Sequence, residues 1–179
     1  MDESGRGCLA GPVVAAAIVL PTGIRIPNLR DSKELTTSQR DVLFEEIQAR
    51  SISVGFGLVG PQEIDRINIL QASLLAMRMA VERLTVKPEF LIIDGPFGID
   101  YRIPQRAIKK GDARCLSIAA ASVMAKVTRD RMMYKLEQKY PSFSFSVHKG
   151  YGTAQHLEEI ARHGPSPVHR RTFRGVCGS

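Results

Sequence analysis

A chain of 179 residues with 25 Lys and Arg against 18 Asp and Glu carries a formal charge of +7, and its length suits one domain, a size that buries about 68–70% of the unfolded surface. Its three cysteines, Cys8, Cys115 and Cys177, are odd in number and lack C-x-x-C spacing, which argues against a disulfide framework or a zinc site and for a reducing compartment. The longest apolar run, Val13 to Leu20, is too short to span a bilayer and no charged leader precedes it, so a cytoplasmic protein is expected, and its positive balance favours a polyanionic partner.

The chain opens on Met1-Asp2-Glu3-Ser4-Gly5-Arg6-Gly7, two adjacent acids directly before a Gly-Arg-Gly turn. Neighbouring side chains of a strand point to opposite faces, so both acids reach one site only where the strand ends and the backbone turns. Gly5 and Gly7 allow positive φ and leave their amides open to a ligand. Acids for a cation beside amides for an anion point to a metal and a phosphate sharing a site, although the motif alone also fits an exposed acidic turn.

Gly11 to Leu20 is apolar throughout and bracketed by Pro12 and Pro21, which predicts a strand buried on both faces. A turn region to Pro27 and the stretch Asp31-Ser32-Lys33-Glu34-Leu35 follow. Thr36 and Gln39 have the spacing of a capping box, and Val42, Leu43 and Ile47 give the apolar face of a helix to about Ala49. From Ser51 to Val59, Ile52, Val54, Phe56 and Leu58 alternate with Ser53, Gly55 and Gly57, which predicts a strand with one face buried and another backbone close to the glycines. Gly60-Pro61 then opens a long helix with an apolar stripe at Ile64, Ile67, Leu70, Leu74, Met77, Val81 and Leu84, read as core.

Phe90 to Gly95 is a short apolar run ending on Asp94, and such a run predicts a central, parallel strand. Arg106 to Lys110 is a further strand ending at Gly111-Asp112. A helix from Leu116 to about Gln138 offers a smooth face at Ala119, Ala120, Ala121 and Ala125 for close packing on a sheet. The section from Phe143 onward reads as loop with one short helix, capped by Thr153, turned inward at Leu157, Ile160 and Ala161, and stopped by Gly164-Pro165. Strands first and then strand alternating with helix predict an α/β fold: a mixed sheet flanked by helices, with a small C-terminal helical segment, in one domain over 1–179.

Three places put an acid where a core strand meets a glycine turn: Asp2-Glu3, Asp94 and Asp112. In open α/β sheets ligands sit outside the carboxyl ends of strands, so these acids are expected to converge. Carboxylates without nearby His or Cys suit a hard cation, Mg²⁺ or Mn²⁺. Each acid by itself also fits a cap or a surface turn.

With these residues in view, the sequence resembles ribonuclease HII, the prokaryotic type 2 ribonuclease H. The resemblance is carried by Asp2 to Gly7, Gly11 to Ala16, Asp31-Ser32-Lys33, Ile93-Asp94-Gly95, Lys110-Gly111-Asp112, Ser117 to Ser122 with Ala125 to Asp130, His148 to Thr153 and His169 to Phe173, in the family's order across nearly the whole chain. It implies a ribonuclease H-like fold, with Asp2, Glu3, Asp94 and Asp112 matching the family's metal-binding catalytic acids. It also implies hydrolysis of the RNA strand of RNA–DNA hybrids and cutting at single ribonucleotides in duplex DNA, giving 5′-phosphate and 3′-hydroxyl ends, in the setting of DNA replication and repair. Two divalent ions about 3.5–4 Å apart suit this chemistry and remove the need for a protein nucleophile.

Telling RNA from DNA demands a contact to the 2′-hydroxyl. By resemblance, Gly5, Arg6, Gly7 and Tyr151 are the candidates, and Lys33, Lys149, Arg170 and, less directly, Lys126 and Arg129 are candidates for phosphate contacts. Lys126 and Asp130 stand at i, i+4, which also fits a simple ion pair. His148, His156 and His169 are read as packing residues or as aids to product release, none as the general base. Two features depart from the family pattern. Ser4 stands where alanine is usual, and the strand leading into the acids is reduced to Met1, which places an α-amino group beside them. A monomer is expected, and binding of a sliding clamp is left open. A hybrid-binding protein without turnover, ribonuclease HIII and a junction resolvase are the alternatives.

Overall fold

The computed structural model describes residues 1–29 and 32–177. Strand β1 (Asp2–Ser4) pairs antiparallel with β2 (Val13–Val19), Asp2 opposite Ala16 and Glu3 opposite Ala15, and β2 pairs antiparallel with β3 (Ser53–Val59). Strands β4 (Leu91–Asp94) and β5 (Gln105–Ile108) pair in parallel. Two backbone hydrogen bonds join these sheets: the Met1 nitrogen donates to the Ile92 carbonyl at 2.8 Å, and the Asp94 nitrogen to the Met1 carbonyl at 3.1 Å. The order is therefore β3-β2-β1-β4-β5, a mixed sheet with β4 inside it, as its apolar run implies. The Met1 nitrogen belongs to this ladder and gives its hydrogen bond to a main-chain carbonyl.

Helices cover both faces. Val13, Ala15, Ala17 and Val59 turn towards α2 (Pro61–Glu82), while Ala16 and Ile18 turn towards α1 (Thr37–Arg50) and α3 (Leu116–Lys139). The Thr36 capping box forms as the spacing predicts, Gln39 N donating to the Thr36 hydroxyl at 3.3 Å and Thr36 N to Gln39 Oε1 at 2.9 Å. Leu43 and Ile47 are buried in α1, but Val42 is 67% exposed and Phe44 takes its place against the core. No helix of the described residues is long and apolar enough to cross a membrane.

The buried face of β3 is the one that carries its small residues. Ser53, Gly55, Gly57 and Val59 are the buried set, Val54, Phe56 and Leu58 are only partly covered, and Ile52 is exposed. The reason is the close backbone that the glycines imply: a Cβ on Gly55 would lie 2.1 Å from the Ala80 carbonyl oxygen, and one on Gly57 1.9 Å from that of Ala76. Ala72, Ala76 and Ala80 form the facing ridge of α2 and are fully buried. The stripe expected along α2 is buried only at Ile64, Met77 and Val81, because the alanine ridge takes the sheet and pushes larger residues to its flanks. The helix also breaks at Asn68 (φ 67°), whose Oδ1 accepts from Leu70 N at 3.0 Å and Gln71 N at 3.1 Å, capping the second half from within.

The C-terminal section holds two helices where one was expected, α4 (Phe145–His148) and α5 (Ala154–His163). Thr153 caps α5, accepting from His156 N at 3.2 Å, and Gly164 closes it at φ 71°. Leu157 and Ala161 face solvent, and His156 and Ile160 fill the inward positions. His156 stacks on His148 with centroids 4.0 Å apart and meets His169 at 3.0 Å between Nε2 atoms, while His148 Nε2 donates to Glu159 at 3.0 Å. Burial holds His169 down to about 4, against an ordinary 6.5, and lowers His156 too. Burial works against the Glu159 charge but is outweighed by hydrogen bonds from Ser144, His148 and Gln155, which hold it to about 2.

Between 6.5 and about 4 the unfolded chain carries a proton on His169 that the folded chain refuses, so the stability supplied by the neutral ring is full above that window and is lost as pH falls through it. Denaturant unfolding of the wild type and His169→Gln from neutral pH downwards is expected to show a stability gap that closes as the medium approaches pH 4. Gly57→Ala, which drives a Cβ into the α2 backbone, is expected to cost about 3 kcal/mol in the same measurement.

Candidate active site

The mixed sheet brings its acids to one edge. Asp2 and Glu3 come from β1, Asp94 ends β4, and Asp112 sits on the single turn Gly111–Ala113 that follows β5. Asp2, Asp94 and Asp112 each offer a carboxylate oxygen, and these oxygens lie within 4.8 Å of one another. Glu3 is not in this triad but lines the same cleft as Asp2 and Asp94, a hollow of about 260 Å³. Main-chain amides orient the triad: Glu3 N donates to Asp2 Oδ1 at 2.7 Å, Gly111 N to Asp94 Oδ1 at 2.7 Å and Ala113 N to Asp112 Oδ1 at 3.0 Å.

Two of the acids are deeply buried. Asp2 is 5% exposed and Asp112 7%. Burial, and then the neighbouring Glu3 and Asp94 charges, push the Asp2 carboxyl up to about 8. Burial also raises Glu3, against the pull of Arg6, whose Nη1 stands 3.3 Å from Glu3 Oε1. The other oxygen, Glu3 Oε2, is buried with no hydrogen-bond partner among the described residues. A divalent cation suits this donor set: oxygen ligands only, crowded and buried, with one oxygen unpartnered among the described residues.

Beside the acids the cleft is lined by Gly5, Arg6, Gly7, Ser32, Ser122, Lys126 and Tyr151. Gly5 has φ 97°, and a Cβ there would sit 2.1 Å from Arg129 Nε, so this position has no room for a side chain. Gly7 and Arg6 are exposed on its outer side. Tyr151, 41% exposed, pairs through its backbone with Cys8 just beyond the turn, and Lys126 Nζ stands 5.7 Å from its ring centre. Lys126 is bound to Asp130 at 2.8 Å, the i, i+4 pair foreseen, yet still reaches the cleft wall. The Lys33 side chain and Asp31 lie outside the described residues.

Two expected phosphate contacts are placed otherwise. Arg170 has no exposed surface, and its guanidinium donates to the carbonyls of Gly5 at 2.7 Å, Arg6 at 2.9 Å and Gly11 at 3.0 and 3.1 Å. It shapes the turn from behind and does not reach a ligand. Lys149 aims its ammonium at the Ser146 carbonyl and the face of Tyr134, 3.5 Å from the ring centre, and does not line the cleft. Arg129 is likewise buried, donating to the carbonyls of Ala10, Pro12 and Lys149 at 2.8–3.0 Å. Long cations beside glycine turns read as anion binders in a sequence, but here the turns expose carbonyls that need donors.

Ser32 and Ser122 escaped the reading of the residues. Their hydroxyls meet at 2.8 Å in the cleft wall, and Ser122 hydrogen-bonds Asp2. The only signal was position: Ser32 inside Asp31-Ser32-Lys33, and Ser122 one helical turn before Lys126.

The family model for ribonuclease HII matches residues 1–176. Ribonuclease HII of Geobacter sulfurreducens is 55% identical over 176 residues, 98% of this chain and 81% of the relative. Among solved structures, the ribonuclease H2 from Pyrococcus horikoshii OT3 superposes with a TM-score of 0.79 at 32% identity, covering 98% of this chain and 92% of that one. The RNase HII in the PCNA:RNase HII complex from Archaeoglobus fulgidus gives a TM-score of 0.75 at 27% identity, over 97% and 93% of the two chains. The fold is thus the ribonuclease H-like one that the motifs imply, and motif order, fold and relatives agree along almost the entire length: this chain belongs to the ribonuclease HII family and is a ribonuclease H, an endoribonuclease.

Proposed function

We propose that the chain hydrolyses the RNA strand of RNA–DNA hybrids and also cuts at single ribonucleotides embedded in duplex DNA, leaving 5′-phosphate and 3′-hydroxyl ends, at a two-ion site held by Asp2, Glu3, Asp94 and Asp112. The observation that carries this reading is the carboxylate cluster of Asp2, Asp94 and Asp112, of which Asp2 and Asp94, with Glu3, line the same cleft as the Gly5-Arg6-Gly7 turn and Tyr151. Bound Mg²⁺ or Mn²⁺ supplies charge neutralisation at the scissile phosphate and activation of water.

The remaining work falls to the protein's own groups. The amides of Glu3, Gly111 and Ala113 fix the carboxylates before any ligand arrives, so little reorganisation is left for the reaction. The exposed outer side of the Gly5-Arg6-Gly7 turn and Tyr151 face the nucleic acid and read the 2′-hydroxyl, while Lys126 contributes positive charge at the cleft wall. Residues 1–179 act as one catalytic domain. We read it as acting as a monomer.

Cleavage of a duplex carrying one ribonucleotide, with and without Mg²⁺, tests the proposal. Asp94→Asn is expected to lower the rate about a thousandfold, from the several kcal/mol such ions supply, while the variant still binds the duplex. Wild-type protein that binds the duplex but leaves it intact in both Mg²⁺ and Mn²⁺ would instead be a hybrid-binding protein of this fold. Asp2→Asn removes a carboxyl whose ionisation is opposed by burial and by the neighbouring acids. It is expected to abolish cutting yet raise the thermal midpoint of the metal-free protein, by about 2–4 °C for each kcal/mol relieved.

A further inference from the structure

Tyr151 and the glycine turn come from opposite ends of the chain, yet both are set by one dipeptide, His169-Arg170. The hydrogen bonds on the His169 side have a definite direction. Ser166 N–H donates to His169 Nδ1 at 3.0 Å, so in the neutral ring the proton sits on Nε2. That Nε2–H can only donate across the 3.0 Å contact to His156 Nε2, which leaves the His156 proton on Nδ1. From there it donates to the Tyr151 carbonyl at 2.8 Å. Ser166 Oγ adds a contact of 2.8 Å at His169 Nδ1, and the Tyr151 carbonyl also accepts from Thr153 N at 2.8 Å.

Arg170 performs the matching task on the turn. Its guanidinium takes the Gly5, Arg6 and Gly11 carbonyls, and its backbone nitrogen donates to the Leu9 carbonyl at 2.8 Å. Gly11 N donates to the Val168 carbonyl at 2.8 Å and Leu9 N to the Gly150 carbonyl at 2.7 Å. The strand leaving the turn is therefore clasped between the Tyr151 segment and the dipeptide. A cation with no exposed surface is expensive to hold, and burial lowers the Arg170 pKa to about 10. The guanidinium of Arg170 is spent on main-chain carbonyls next to the cleft, and the ring nitrogens of His169 on Ser166 and His156.

We propose that His169 and Arg170 are positioning residues for ribose discrimination, His169 setting Tyr151 through His156 while Arg170 sets the Gly5-Arg6-Gly7 turn. The inference rests on the reading of that turn and Tyr151 as the parts that sense the 2′-hydroxyl. Neither His169 nor Arg170 touches the substrate. Their effect is on the register between the two readers.

The test is equilibrium binding, by fluorescence anisotropy in Mg²⁺, of two duplexes of one sequence, one with a single ribonucleotide and one all DNA. Asp94→Asn is present throughout so that the substrate stays intact. The parent is expected to prefer the ribonucleotide duplex. His169→Ala is expected to lower that preference about tenfold by unseating the His156 proton from its carbonyl, with affinity for the all-DNA duplex unchanged. His169→Gln, whose amide N–H can stand in for Nε2–H, should restore much of it. If His169→Ala fails to fold, His156→Phe, which fills the ring's space without its nitrogens, is judged on the same criteria.

An unchanged preference in the folded variant overturns the proposal. So does an equal loss of affinity for both duplexes, which is what a purely structural role would give. Tyr151→Ala locates the fault: a preference that survives it refutes Tyr151 as a reader, and the positioning of Tyr151 falls with that reading. A preference lost in Tyr151→Ala but kept in His169→Ala refutes the histidine link alone.

Discussion

The carbonyl oxygens of the segment from Gly5 to Pro12 turn inward onto two buried guanidinium groups, and the rest of the site depends on that grip. Arg170 takes Gly5, Arg6 and Gly11, and Arg129 takes Ala10 and Pro12 together with Lys149 from the far loop. A tight glycine turn leaves carbonyls that no sheet or helix can satisfy, and an orphaned buried carbonyl costs about 1–3 kcal/mol. A planar fork with five donors serves several at once, which an ammonium cannot. With the carbonyls held from behind, the turn can present its outer side to the cleft.

The carboxylates pose the opposite electrostatic problem. Asp2, Asp94 and Asp112 are pressed together by the ends of β1, β4 and the turn after β5, with Glu3 at their side. Amide donors orient them, and among the described residues Arg6, on the solvent side of the turn, offers Glu3 a direct counter-charge. Among the described residues the two fully buried cations, Arg129 and Arg170, are spent on main-chain oxygens and not on the acids.

Small residues make the geometry possible. Gly55 and Gly57 admit the α2 backbone, and Ala120, Ala121 and Ala125 let α3 settle against the other face of the sheet near Ala16. Close approach of α3 brings Ser122 and Lys126 to the cleft wall, one helical turn apart, so a packing feature and a chemical one share the same helix.

Much of this was legible in the residues. Acid–glycine junctions at the ends of apolar runs marked Asp2, Asp94 and Asp112, since strand ends and turn chemistry are local properties. The capping box at Thr36 and the glycine-mediated approach of another backbone to β3 were local in the same sense. Which face of β3 is buried was not, because alternation alone assumes that the large residues go inside, and only the arrival of α2 reveals that the glycines do. Likewise, Arg170 and Lys149 carry charges that a sequence assigns to phosphate, but their partners are carbonyls brought near by chain folding across as many as 165 positions. The sequence by itself determined the chemistry available at each turn; the tertiary structure decided which groups meet, because a side chain's role follows from the partners that folding places within hydrogen-bonding distance.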